Sequence, residues 1–195
     1  MIGIERIKIV GDDDWEGDYQ EKNRKIEPFA NILYPDLFLS IGMPLAGHDV
    51  HYMECSKDEI MGRYDWQEGI DVILHFADGT KGTMQEKFLT YHVSTMTFEI
   101  EKSSGKQGAW YYCTAQYYFV GYSKEYESEN YNFTDWMLIN LPLLHQQDMQ
   151  KKLSWEYNKN KKHGRSAKFK YLRFYNVPLE TILVEKKNYI PPPPF

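Results

Sequence analysis

The sequence predicts a single mixed α/β domain of the α+β kind, and three observations predict it. The chain has 195 residues, a length that one hydrophobic core commonly serves. Two apolar, β-rich segments flank Asp78-Gly79 in the pattern of a hairpin, and further β-branched and aromatic runs follow. Stretches with helical periodicity lie before and after these runs. Apolar residues form 42% of the chain and aromatics 16%, so a core can be built, and the 16 tyrosines bring polar tips into it.

Residues 2–10 alternate apolar and charged side chains, which suits a short strand that Asp12, Asp13 and Asp14 bring to an end. From Tyr19 to Leu39 the stripe Ile26, Phe29 and Leu33 predicts a helix, with Pro28 and Pro35 confined to first turns or ends. Residues 40–62 carry Gly42, Pro44, Gly47 and Gly62 and read as loop, with one helical turn near Lys57 to Met61. Ile70 to Phe76 and Thr83 to Tyr91 are the two strands of the hairpin, and Thr95 to Ile100 and Trp110 to Tyr122 are expected to extend its sheet. Trp136 to Asn140 reads as a buried strand, Leu141 to Leu153 as the helix after it, and Tyr171 to Phe174 and Thr181 to Val184 as late strands. The final IPPPPF is a polyproline II tail.

Charge divides the chain unevenly. Lys and Arg number 12 against 25 Asp and Glu over residues 1–150, and 11 against 3 over residues 151–195, a balance of −13 followed by +8. The basic C-terminal segment belongs to the same domain as the acidic body. It supplies what a phosphate-binding face needs, because each neutralised phosphate releases counterions. A solvated helix and loop would carry the same composition.

Charges interrupt the apolar residues at the start of the chain, so no secretory leader is expected, and no apolar run approaches the length of a membrane span. Cys55 and Cys113 lack CxxC spacing and read as free thiols in a reducing compartment. A cytoplasmic location, in a bacterium or a phage-infected cell, is the expectation.

The hairpin carries polar residues where a strand would be half-buried. Asp71 opens one strand after Gly69, and Gln85, Glu86 and Lys87 lie in the middle of its partner between Met84 and Phe88. Burying such charges is unfavourable unless they are paired or bind metal. Side chains alternate along a strand, so Gln85 and Lys87 share one face and Glu86 takes the other.

The stretch GIDVILHFADGTKGTMQEKF resembles the core of the PD-(D/E)xK nuclease superfamily. In that superfamily an Asp at the start of one strand meets an acidic-x-Lys triplet on the next, and similar phage and bacterial nucleases carry a GID strand, a DG turn and a D-E-K or Q-E-K triplet. The resemblance covers about 20 residues closely and residues 60–125 loosely. Asp71 matches the Asp, Lys87 the Lys, and Gln85 stands where Asp or Glu is usual. The resemblance implies a restriction-endonuclease-like mixed central sheet flanked by helices, with residues 1–150 as the nuclease-like core. It also implies Mg²⁺, with Mn²⁺ as a substitute, held by Asp71 and Gln85, and DNA as partner. Lys87 would orient the attacking water. Glu99 on the following strand is the favoured auxiliary acid, and Glu86 a further ligand through a β-bulge or its backbone carbonyl; Asp65 is a lesser candidate. Lys159, Lys161, Lys162, Arg165 and Lys168 would hold the nucleic-acid backbone. Gln85 brings no charge, so a non-catalytic nucleic-acid-binding or phage accessory protein on a degenerate nuclease scaffold is the alternative. A homodimer is compatible with either reading.

Other signals carry less. His48 and His51 have a metal-like spacing without further ligands at zinc distances, and His75 and His92 read as core or surface residues. GxSxG, GxxxxGK[ST] and GxGxxG are absent from the sequence. The aromatics of Trp110 to Tyr122 read as core, with base stacking as the functional alternative.

Overall fold

The computed structural model describes residues 32–50, 68–89, 95–102, 104–123, 133–162 and 165–186; for 49, 50, 123, 158–162, 165 and 166 it describes the backbone alone. Helix α1 covers residues 32–40 and strand β1 Leu45–Val50. Then follow β2 (Val72–Phe76), β3 (Lys81–Leu89), β4 (Thr95–Glu101), a 3₁₀ turn at Ala109–Tyr111, β5 (Tyr117–Ser123) and β6 (Phe133–Asn140). Helix α2 (Leu141–Met149), β7 (Glu156–Lys162), β8 (Arg165–Arg173), two 3₁₀ turns at Phe174–Asn176 and Leu179–Thr181, and β9 (Ile182–Lys186) complete the described chain. The chain is a mixed α+β protein. The expected strand at residues 2–10, the first part of the 19–39 helix, the turn near Lys57 and the proline tail lie outside the described residues.

The hairpin forms as its residues dictate. Val72, Leu74 and Phe76 of β2 and Met84, Glu86 and Phe88 of β3 are buried on one side of the sheet, while the residues between them are half-buried. At the tip, Gly79 takes φ +85°, and the Asp78 carboxylate accepts from the Thr80 N–H at 2.8 Å and its hydroxyl at 2.7 Å. Those bonds to the charged form hold the Asp78 carboxyl below its ordinary value.

The larger sheet runs β1-β2-β3-β5-β6-β9. All its neighbours are antiparallel except β3 and β5, which are parallel with Gln85 beside Tyr118 and Lys87 beside Val120. A parallel pair needs a long crossover, and here β4 and the 3₁₀ turn provide it from a second layer. The second sheet runs β4-β8-β7.

Apolar residues on the two faces of the large sheet build two cores. On one face Val72, Leu74, Met84, Phe119 and Leu138 pack with Tyr34, Leu37 and Phe38 of α1. On the other, Tyr118, Val120, Met137 and Ile139 pack against Met96 and Phe98 of β4, Leu172 of β8, and Leu141 and Leu144 of α2. Helix α2 starts where the sequence signals it: Asn140 caps it by accepting from the Leu143 N–H at 3.0 Å, and Pro142 lies in its first turn. The two layers join through tyrosine tips. The Tyr118 hydroxyl donates to the Thr97 carbonyl at 3.2 Å, and the Tyr122 hydroxyl accepts from the Thr95 N–H at 3.0 Å.

Four expectations need correction. Residues 45–50, expected as loop, form β1, because ladder bonding to β2 outweighs the low strand preference of Gly47. Thr95 to Ile100 is a strand, yet it joins the second sheet rather than extending the first. Trp110 to Tyr122 is not one strand: its first residues form the 3₁₀ turn, since Gly108 lies against the β4 backbone and bends the chain there. The basic segment, for which a solvated helix and loop was the plain alternative, is the hairpin β7–β8.

Candidate functional site

The site is built where β2 begins. Gly69 takes φ +61° with its α-carbon against Cys113, so a Cβ there would lie 3.1 Å from the Cys113 Cβ. The next residues turn into the ladder: the Asp71 N–H donates to the Met84 carbonyl at 3.0 Å, and Asp71 Oδ2 accepts from the Glu86 N–H at 2.7 Å. The carboxylate thus continues the hydrogen-bonding of β2 toward the middle of β3, beside Gln85.

Gln85 and Lys87 occupy the same face of β3, as strand alternation requires, and that face looks toward the β4 layer. Cys113 Sγ lies 3.4 Å from Gln85 Oε1 and 3.1 Å from the Gly69 carbonyl. Burial first, and then the charge of Asp71, push the Cys113 thiol up to about 12, against a hydrogen bond from the Ala115 backbone. Asp71, Gln85 and Cys113 are therefore close neighbours, and Lys87 stands one pleat beyond Gln85. Glu99 of β4 comes from the facing layer. Burial pushes its carboxyl up, while Lys102 and Lys87 are close enough to offset part of that rise. The spacing in sequence gave no sign of Cys113.

Glu86 parts from this group. Its side chain is buried on the opposite face, where the Tyr34 hydroxyl of α1 donates to its carboxylate. The register of β3 with β2 and with β5 runs without a shift from Met84 to Leu89, so no bulge turns Glu86 inward. As a side-chain metal ligand beside Asp71, Glu86 is corrected: the regular pleat aims it at α1. Asp65 lies outside the described residues.

A hard cation such as Mg²⁺ takes oxygen ligands and keeps several waters, with one or two carboxylates from the protein. Asp71 supplies a carboxylate, one oxygen of which accepts from the β3 backbone, and Gln85 supplies an amide oxygen. That donor set fits Mg²⁺ at the minimal end, with a single carboxylate. Among the described residues no group of three or more His, Cys, Asp or Glu is gathered to hold a metal ion.

The basic hairpin shares its sheet with the strand of Glu99. Register places Lys159 opposite Lys168 and Lys162 opposite Arg165, while Lys168 pairs with Glu101 at 2.5 Å. The side chains of Lys159, Lys161, Lys162 and Arg165 lie outside the described residues, as do His51 and His92; His48 of β1 meets the Tyr34 ring edge-on.

A second polar cluster went unread in the sequence. Lys170 of β8 is only 5% exposed, with its ammonium 3.6 Å from the centre of the Trp110 ring and 4.0 Å from that of Trp155. Asp148 of α2 pairs with it at 2.6 Å and also accepts from Trp155 Nε1 at 2.5 Å. His145 stacks on Trp110 at 3.9 Å. His145, Asp148, Trp155 and Lys170 lie in one stretch of the sequence, but Trp110 comes from the crossover before β5, so no local pattern marked the cluster.

The fold and the cluster thus define a mixed α+β protein with an Asp–Gln–Lys group at the mouth of a β-hairpin. Comparison with family models, with curated proteins and with solved structures finds no match to this chain. Among the described residues no helix is long and apolar enough to cross a membrane.

Proposed function

We propose that the chain is a Mg²⁺-dependent nuclease that hydrolyses DNA phosphodiester bonds on a restriction-endonuclease-like core. The observation that carries this reading is the bond from the Glu86 N–H to Asp71, which sets that carboxylate on the β3 backbone between Gln85 and Lys87, supported by the antiparallel β1-β2-β3 run and the parallel β3–β5 pair beside it. A second sheet shares with α2 the face of the large sheet where the resemblance implied helices.

Asp71 and Gln85 would hold the cation. When bound, Mg²⁺ supplies a water of lowered pKa and offsets charge on the scissile phosphate. Lys87 orients that water and stabilises the charge that develops on the phosphate oxygens. Glu99, kept in a half-buried place near Lys87, takes or returns a proton at the rim of the site. The basic hairpin receives the strand, because each phosphate that a Lys or Arg neutralises releases counterions.

Incubating the purified chain with duplex, junction and single-stranded DNA in Mg²⁺ or Mn²⁺ tests this reading. Cleavage that Lys87→Ala and Asp71→Asn abolish is expected; absence of cleavage of every form, or equal cleavage by Lys87→Ala, overturns it. The neutral Gln85 favours a second reading, a nucleic-acid-binding or phage accessory protein on the same scaffold without catalysis. Salt-dependent DNA binding with no heat on metal titration would select it.

A further inference from the structure

A cavity of about 340 Å³ opens beside the site, lined by Trp110, Tyr111, Cys113, His145, Asp148 and Met149. Cys113 is common to both: one side of its thiol meets Gln85, and the residue also walls the cavity. The cavity and the Asp71–Gln85 group are thus adjacent through Cys113.

The lining says what would enter. None of the six residues is Lys or Arg, and the nearby Lys170 is sequestered between two indoles, so the cavity is not made for phosphate. Trp110 already carries His145 on its ring and Lys170 over it, whereas Tyr111 is 58% exposed and Met149 78% exposed at the rim. Tyr111 thus offers a ring for stacking and Met149 a polarisable apolar flank. Two polar groups belong to the same lining. His145 Nε2 is buried without a hydrogen-bond partner, a state that is unfavourable unless something supplies one. The Asp148 carboxylate accepts one bond at each oxygen, which leaves lone pairs for another donor. The volume is at the small end for ligand sites, too small for a duplex and sufficient for one planar ring.

We infer that this cavity seats an unstacked nucleobase of the strand whose phosphate lies at Asp71, with the base on Tyr111 and its amino edge toward Asp148. The inference rests on the nuclease reading for the phosphate, and on the cavity alone for the base. An exocyclic amino group suits a carboxylate acceptor, so cytosine and adenine fit better than thymine.

Free deoxynucleosides separate the two claims, because they carry no phosphate for Asp71 or Lys87. Deoxycytidine and thymidine are titrated into the full chain, with binding read from histidine imidazole proton resonances in NMR. Deoxycytidine is expected to move the His145 signal and to bind more tightly than thymidine. Tyr111→Ala, a substitution at an exposed position that leaves the core intact, should weaken deoxycytidine binding about 5- to 100-fold, and Lys87→Ala should leave it unchanged. Such binding in a protein that cuts no DNA upholds the cavity while the hydrolytic reading falls. Equal binding by wild type and Tyr111→Ala, or no binding in a protein that does cut DNA, overturns the cavity and spares the nuclease.

Discussion

Removing the carboxylate of Asp148 while leaving Lys170 in place should be among the most destabilising single changes available in the described chain. The Lys170 side chain is 6% exposed and that of Asp148 26%, with their charged groups 2.6 Å apart. Two indole faces attract the ammonium but cannot neutralise it, and burial already pulls the Lys170 amine below its ordinary value against the opposing pull of Asp148. Breaking a buried pair by deleting one partner costs about 3–5 kcal/mol, because the other charge stays in the interior. Asp148→Ala should accordingly lower Tm by roughly 6–20 °C for a chain of this size. Lys170→Met removes the trapped charge and keeps an apolar stem between the rings, and Asp148 retains its bond from Trp155; its loss should stay near 1–2 kcal/mol, about the worth of the cation–π contacts. The double variant should recover most of what Asp148→Ala loses. Urea unfolding of the three variants, compared at constant m, measures this order. If Lys170→Met proves as damaging as Asp148→Ala, or the double variant gains nothing, the buried ammonium is not the liability described.

Three further outcomes follow from the same geometry. Burial, then Lys170, hold the His145 imidazole below its ordinary value near 6.5 despite Asp148; below that pH the unfolded chain binds a proton that the folded one refuses, so stability falls by up to about 1.4 kcal/mol per pH unit until the folded value is reached. His145→Gln should flatten that slope in thermal scans from pH 7.5 to 5.5, and equal slopes would count against it. Gly69→Ala meets both a φ of +61° and the Cys113 Cβ, and should lose about 1–3 kcal/mol in urea, more than Gly79→Ala, where φ is +85° but the space is open; a neutral Gly69→Ala would show that the turn into β2 tolerates other conformations. With its thiol pushed up to about 12, Cys113 should present on the order of one thiolate in 10⁴ at pH 8, so iodoacetamide should label it in urea and hardly at all in the folded protein, as peptide mass spectrometry would record.

How much of this was legible depended on the range of the forces involved. The β2–β3 hairpin was readable because its signals are local: alternation, an Asp-Gly turn and a Gly before Asp71 all fall within a short stretch, and the pleat then fixed Gln85 and Lys87 on one side with Glu86 on the other. Helix α2 was readable in place though not in length, expected to Leu153 and ending at Met149, and its Asn140 cap shows why it begins at Leu141. What escaped was decided at long range. Strand β4 has strand-like residues whichever sheet it joins, and its pairing with β8 rests on residues some seventy positions later. Trp110 looked like strand and became a buried turn, because its ring meets Phe98, His145 and Lys170 from three other elements. Cys113 had no motif around it, and its place beside Gln85 follows from the crossover that makes β3 and β5 parallel.

The tyrosine tips that join the two layers also govern association. Strand β4 lies at the margin of its three-stranded sheet, where unpaired amides ordinarily invite a foreign strand to add on and start aggregation. Hydroxyls of Tyr118 and Tyr122 occupy Thr95 and Thr97 there, so growth of that sheet by strand addition is blocked on the β4 side.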